Sequence, residues 1–305
     1  MFSKNYLITI VGPTAIGKTA LSIQLANYFK ADIISCDSRQ FYKEMTIGTA
    51  VPNADELASA VHHFVQNRSI FDDYNVGSFE RDALSKLDEL FQKNPVQIMV
   101  GGSGLYVDAV LKGLDYFPDV DPKIREELTN QLQEKGIETL QEKLKELDPE
   151  TYYSIAIDNP HRIMRALEIC IGAETPYSTF KNKPKTPRNF TSIKIGLNAE
   201  REVIYNRINE RVDNMLANGL LEEAEKLYPN KDLNALQTVG YRELFSFFDG
   251  EFTQEFAISE IKKNTRRFAK RQGTWFKKDE ETLWFDYQTN INEIITKISD
   301  KINDI

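Results

Sequence analysis

The sequence predicts an α/β fold, a parallel sheet flanked by helices, with an all-helical insertion in its middle. Three observations carry this reading. Short apolar runs rich in β-branched residues alternate with runs of helical period in both outer parts of the chain. The first of these strands passes through a glycine-rich loop directly into a helix. Between about Pro118 and Pro187, convincing strand patterns give way to charge-dense helical runs. The core is therefore assigned to residues 1–118 and 191–305, and the insertion to 119–190.

Tyr6–Val11 is the first strand. The loop after it reads Gly12-Pro13-Thr14-Ala15-Ile16-Gly17-Lys18-Thr19, a G-x-x-x-x-G-K-T pattern. Apolar residues at 21, 25, 26 and 29 mark the helix that follows. A glycine turn at this junction lets successive backbone N–H groups point at one anion. The helix dipole and the Lys18 ammonium add to that pull, and the Thr19 hydroxyl can reach a magnesium ion. The core is thus P-loop NTPase-like, and the loop holds a phosphate or diphosphate.

The second strand, Asp32 to Cys36, ends at Asp37, which places a carboxylate at the carboxyl edge of the sheet, where α/β folds bind ligands. Asp37 could also cap a turn. The adjacent His62 and His63 lack a third ligand nearby and read as loop-packing residues. A helix is expected over 79–91. The strand Val96–Val100 ends in Gly101-Gly102, where a typical NTPase carries a magnesium-anchoring Asp. No guanine-reading segment appears, so Asp37 is free for another task.

The insertion contains Arg162 and Arg165, three apart on one helix face. They fit a solvated surface and a phosphate-closing lid equally well. Ser192–Leu197 restores a strand, and 200–216 an amphipathic helix. Between Lys262 and Lys278 lie eight basic residues and no acid; Lys263, Arg267, Lys270 and Arg271 share a stripe, with Phe268, Trp275 and Phe276 interleaved. In a chain of net charge −8, such a stripe fits contact with a phosphate backbone.

Composition narrows the class further. A 41% hydrophobic chain of 305 residues with no long apolar run suits a soluble protein without a membrane span. The start enters a strand almost at once, so no signal peptide is expected. Cys36 and Cys170 alone offer no disulfide framework, which favours the cytoplasm.

Taken together, these blocks resemble the bacterial tRNA dimethylallyltransferase (tRNA isopentenyltransferase) family. The matching blocks are the loop at 12–19; Asp37-Ser38-x-Gln40-x-Tyr42 with Met45 and Ile47-Gly48-Thr49-Ala50; and Val100 to Tyr106. Further on come Asp121-Pro122 with Arg125, Asn159-Pro160-x-Arg162 with Arg165 to Glu168, Gln237 to Glu243, and Thr265 to Gln272 with Thr274-Trp275. Three positions depart from the family pattern: Ser103 stands for Thr, Val51 for Lys, and Ile16 for a small residue. With so few Cys and His, no counterpart of the zinc-finger extension of eukaryotic members is expected.

The resemblance implies transfer of a dimethylallyl group from its diphosphate to the exocyclic amine of the adenosine immediately 3′ of the anticodon. The leaving group would be neutralised by the loop, Lys18, magnesium near Thr19 and an Arg such as Arg242. Asp37 is the candidate base for the amine, which leaves the anticodon stack to reach the diphosphate. Contacts to the tRNA anticodon stem-loop are expected from Asp37, Ser38, Arg39, Gln40, Ser103 and Arg125, and from His161, Arg162, Ile163, Met164 and Arg165. Gln237, Thr238, Val239, Gly240, Tyr241 and Arg242 join them, with the stripe of Lys263, Arg267, Lys270 and Arg271. The chain is expected to act as a monomer. A small-molecule kinase, a prenyltransferase of free adenine nucleotides and a non-enzymatic RNA-binding protein are the alternatives. Each leaves either the basic stripe or Asp37 without a purpose.

Overall fold

The computed structural model describes residues 4–303. The chain divides into two compact units. One runs to Lys112 and resumes at Arg188; the other is Gly113–Pro187.

In the first unit, among the described residues, six strands form one sheet. They are β1 (Tyr6–Val11), β2 (Ile33–Ser35), β3 (His62–His63), β4 (Val96–Val100), β5 (Thr191–Asn198) and β6 (Leu283–Asp286). Their order is β3-β2-β4-β1-β5-β6, and every pairing is parallel. β1 lies between β4 and β5, with Ile8 opposite both Ile98 and Ile193. All six of its residues are buried. A strand covered on both faces has no solvent side, so its sequence is a continuous apolar run rather than an alternating one.

The helices before the second unit are α1 (Lys18–Phe29), α2 (Ala54–Ser59), α3 (Val76–Phe91) and α4 (Gly104–Lys112). The second unit contains α5 (Pro122–Lys135), α6 (Ile137–Leu147), α7 (Pro149–Ser154) and α8 (Pro160–Gly172). After β5 follow α9 (Arg201–Ala217), α10 (Leu220–Leu227), α11 (Tyr241–Phe248), α12 (Gln254–Phe276) and, beyond β6, α13 (Ile291–Asn303). On one side of the sheet, Leu21 and Leu25 of α1 pack with Ile294 and Ile298 of α13. On the other, Phe79 and Leu87 of α3 pack with Val107 and Val110 of α4. Truncating a fully buried side chain such as Leu87 to Ala costs about 2–5 kcal/mol.

Within the helical unit, local sequence sets each start. Asp121 precedes Pro122 and caps the N–H of Lys123; Asp148 precedes Pro149 and caps that of Thr151; Asn159 precedes Pro160 and caps that of Arg162. A capping oxygen followed by proline at the first helical position satisfies one orphan donor and removes another. Leu128, Leu140, Leu144 and Leu167 fill the core between these helices.

Three sequence expectations need correction here. His62 and His63 form an edge strand on β2, and His63 Nε2 lies 2.8 Å from Asp32 Oδ2. β6 is absent from the sequence pattern; its four residues are too few to show a period, and only pairing with β5 makes them a strand. Phe276 is buried in the core, so it does not belong to an exposed aromatic series. No helix among the described residues is long and apolar enough to cross a membrane.

Candidate active site

The segments that follow β1, β2 and β4 meet at the carboxyl edge of the sheet, as an open α/β sheet requires of a ligand site. The glycine loop follows β1, Asp37 follows β2, and Gly101 to Ser103 follow β4. Gly12 has φ 142°, and a Cβ there would sit 2.5 Å from the Leu197 carbonyl oxygen of β5. Only glycine lets the loop leave β1 so close to its neighbour.

The loop is held from outside by two helices. Gln272 of α12 accepts from the Thr14 N–H at 2.8 Å and donates to the Gly102 carbonyl at 3.0 Å, tying the loop to the segment after β4. From α9, Arg207 Nε donates to Ala15 O at 2.7 Å, and Arg211 to Thr14 Oγ1 at 3.2 Å. Lys18 Nζ donates to Gly12 O at 3.1 Å and Pro13 O at 2.7 Å. Burial pushes the Lys18 ammonium down to about 8, the Arg211 charge adds to this, and Asp37 partly opposes it. Arg211 itself is lowered by burial, again against the pull of Asp37. Two cations crowded beside one carboxylate make a site that gains when a dianion arrives.

Two cavities open here. The first, about 960 Å³, is lined by the loop from Thr14 through Thr19, by Asp37, and by Arg207 and Arg211. Its far wall is the segment 46–54. Glu223 of α10 accepts from the N–H groups of Thr46, Ile47 and Gly48, while Gln40 donates to the carbonyls of Thr49 and Ala50. The second cavity, about 470 Å³, is mostly apolar; Leu105, Tyr106, Val239, Ile261, Phe268 and Trp275 line it. Asp37, Thr14, Arg211 and Gln272 line both. Asp37 Oδ1 accepts the N–H of Arg39 at 3.1 Å, which fixes the carboxylate at the junction.

A cationic loop cavity and an apolar cavity thus meet at one carboxylate. The model of the family described as IPP transferase matches residues 40–279. A tRNA dimethylallyltransferase of Flavobacterium psychrophilum is 64% identical over 304 residues, covering 98% of this chain and 99% of the relative. The chain belongs to the IPP transferase family. A tRNA dimethylallyltransferase of Cytophaga hutchinsonii is 46% identical, covering 99% of both chains. The crystal structure of the tRNA isopentenylpyrophosphate transferase of Bacillus halodurans is 36% identical, with TM-score 0.72 over 99% of this chain and 96% of that one. A eukaryotic dimethylallyltransferase shares the fold at TM-score 0.82 and 24% identity, covering 99% of this chain and 80% of that one.

Against this family background, the structure sorts the residues singled out from the sequence. Thr14 to Thr19 and Asp37 come together as expected, although Ile16 turns into the core. Ser38, Arg39, Ser103, Thr238, Val239 and Gly240 line the second cavity, and Gln40 the first. Ser103 Oγ accepts the Ser38 N–H at 3.1 Å, so the family's hydroxyl is retained here without its methyl. Arg39 donates to the carbonyls of Asn234 and Ala235. Glu243 accepts the Gly240 N–H at 2.8 Å and thereby sets the 238–240 turn.

Arg242 lines neither cavity: the tight turn at Gly240 sends Tyr241 inward and leaves Arg242 exposed on α11. Arg211 of α9, by contrast, lines both cavities. Tyr241 is a core residue, its hydroxyl 2.6 Å from Glu223 and its ring against Gly48. Ile163 and Met164 are likewise core residues of the helical unit, on the inward face of α8. His161, Arg162 and Arg165 are exposed on that helix, and Gln237 is exposed before α11. Arg125 and Arg165 both bond the buried Glu168, at 2.7 and 3.3 Å. The basic stripe lies on α12, where Lys263 pairs with Glu260, Arg267 bonds Asn264, and Lys270 and Arg271 are exposed.

Arg207, Arg211, Glu223 and Gln272 are site residues that sequence reasoning does not assign. Arg207 and Arg211 stand four apart on a helix, a spacing that puts both on one face and is legible. For magnesium, no group of three or more His, Cys, Asp or Glu gathers among the described residues. The Thr19 hydroxyl and the Asp37 carboxylate border the first cavity. Such a sparse oxygen set suits magnesium held chiefly by phosphate oxygens and water.

Proposed function

We propose that this chain transfers a dimethylallyl group from dimethylallyl diphosphate to N6 of the adenosine immediately 3′ of the anticodon in tRNA. The observation that carries the reading is the position of Asp37 on the shared wall of a cationic cavity and an apolar one. The diphosphate lies in the loop cavity, where the backbone N–H groups of the loop, Lys18 and Arg211 face it. The adenine enters the second cavity edge-on to Asp37. N6 attacks C1 of the allyl group, the C1–O bond breaks, and diphosphate leaves with the electron pair. Asp37 takes the N6 proton.

The adenine amine is a weak nucleophile because its lone pair is shared with the ring, so the carboxylate matters as much as the leaving-group charge. The loop and its two cations carry the charge that develops on the departing oxygen. Thr19 would hold magnesium, and the ion would supply further charge neutralisation. Apolar walls around the second cavity exclude water, which would otherwise compete for the allyl cation character at C1.

Action as a monomer is part of the proposal. The two cysteines are free and buried, in keeping with a reducing cytoplasm. Incubation with labelled dimethylallyl diphosphate and total tRNA, followed by nucleoside analysis, tests the reading, with ATP and free AMP as controls. Label in a modified adenosine from tRNA is expected. Label transferred only to AMP, or phosphate transferred from ATP to a small acceptor, would replace it with one of the rival enzymes.

A further inference from the structure

We propose that Trp275 is a stacking platform for an unstacked RNA base that flanks the one entering the second cavity. The proposal rests on the RNA substrate given above. Trp275 is 41% exposed at the end of α12, yet it is held in one orientation. Its indole Nε1–H donates to Asp108 Oδ2 of α4 at 3.0 Å. The other oxygen of Asp108 pairs with Lys112 Nζ at 3.0 Å. The ring lies flush against Gly104, where a Cβ would come within 2.5 Å of it. A wholly structural tryptophan would be buried; this one is held at its Nε1 edge by Asp108 and on one side by Gly104, and 41% of it stays exposed.

Its surroundings give the partner's chemistry. Leu105 and Phe268, 48% and 38% exposed, line the same cavity, and the Arg271 guanidinium lies 5.6 Å from the Phe268 ring. Fixed aromatic faces with a cation beside them are the means by which proteins hold single-stranded nucleic acid. In the reading above, the target adenine enters this cavity. Drawing that base out of a loop strips its neighbour of a stacking partner, and Trp275 supplies the replacement. Asp108 is then a positioning residue, acting only through the indole.

The chain has two tryptophans, Trp275 and Trp284, so the Trp284→Phe variant isolates the signal. It would be titrated with an anticodon stem-loop RNA, and with stem-loops abasic on the 5′ side, the 3′ side or both sides of the target adenosine. Quenching of Trp275 emission is expected, and it should vanish when one particular flank is abasic. Trp275→Leu should weaken stem-loop affinity about five- to a hundred-fold. Binding of inorganic diphosphate should not change, and Trp275→Phe should recover most of the loss. Asp108→Leu should lower the Trp275 fluorescence anisotropy, with Asp108→Asn restoring it. An unquenched Trp275 at saturating RNA overturns the proposal, as does quenching that survives loss of both flanking bases or unaltered affinity in Trp275→Leu. A stem-loop that binds and is prenylated while showing any of these leaves the transferase reading intact. One that is neither bound nor prenylated removes both readings.

Discussion

The cavity beside the phosphate loop is lined by the loop itself, with Lys18 and Arg207, and its neighbour by Leu105, Val239 and Trp275, while Arg211 and Phe268 border both. The first chamber is rigid because three outside residues, Gln272, Arg207 and Arg211, bond the loop itself. The second is shaped by packing and by caps such as Glu243 on Gly240. One chamber answers charge with fixed dipoles and cations, the other answers a flat base with apolar walls. Asp37 borders both, so the proposed reaction sits where two unlike environments meet. Substitutions that damage one chamber alone should therefore leave the binding of the other substrate intact.

Asp37→Asn tests the wall itself and should have the largest effect. The amide keeps the size but does not take a proton at neutral pH. General-base contributions are about a hundred- to ten-thousand-fold, and the single-turnover rate with both substrates saturating should fall within that range. Diphosphate affinity should hold or improve, because a negative charge near the anion is gone. Near-complete rescue by raised magnesium would instead make Asp37 a metal ligand.

Next come the cations of the first chamber. Arg211→Ala and Lys18→Ala should each lower the transfer rate by about a hundred- to a thousand-fold, as loss of one oxyanion donor does, with tRNA affinity near normal. Arg242→Ala should leave inorganic diphosphate binding unchanged, since Arg242 stands outside both cavities. Equal losses for Arg242→Ala and Arg211→Ala, by calorimetry with diphosphate, would undo the assignment of the second cation.

The unequal legibility of the two chambers has a physical cause. The phosphate cradle is built from eight consecutive residues whose backbone does the work, so a contiguous pattern announces it. The strand ends that carry Asp37 and Gly101 are also readable, because a buried parallel strand is an apolar run with a sharp end. The spacing of Arg207 and Arg211 puts them on one face of α9, but nothing in that helix by itself says that this face meets the loop. Glu223 resembles a surface acid, and only the fold sets it under the N–H groups of residues 46–48. The second chamber draws on segments from Thr14 to Trp275, and no local pattern encodes such an assembly. The resemblance flags Tyr241, but the sequence alone does not distinguish a residue that packs against Gly48 from one that meets substrate.

A smaller effect concerns Lys263, Arg267 and Lys270 of the α12 stripe, which line neither chamber, unlike Arg271. Replacing Lys263, Arg267 and Lys270 together should reduce the slope of log tRNA affinity against log salt by about one for each phosphate no longer neutralised. Binding of the small diphosphate should be unchanged. An unaltered slope would return the stripe to the protein's own surface, consistent with the pairing of Lys263 to Glu260.

The last contrast is within the first chamber and turns on the lowered Lys18 ammonium, at about 8. Between pH 7 and 9 its charged fraction in the free protein falls from roughly nine-tenths to one-tenth. Affinity for a diphosphate that needs the cation should then drop by up to about tenfold. Stability should respond in the opposite sense. The unfolded chain keeps this proton up to its ordinary value of 10.5, whereas the folded chain releases it from about 8 upward. Between those values the unfolded state binds more protons, so the Lys18 contribution to stability rises with pH. Burying the charge is a cost below pH 8, relieved as the proton leaves. Lys18→Met removes both responses, and its own profile corrects for ionisation of the ligand. The measurements are diphosphate affinity and the difference in Tm between wild type and Lys18→Met across pH 7 to 10. Falling affinity with a rising Tm difference is the expected pair. If the two fell together, Lys18 would be stabilised as a cation by its surroundings, and burial would not be what sets its charge.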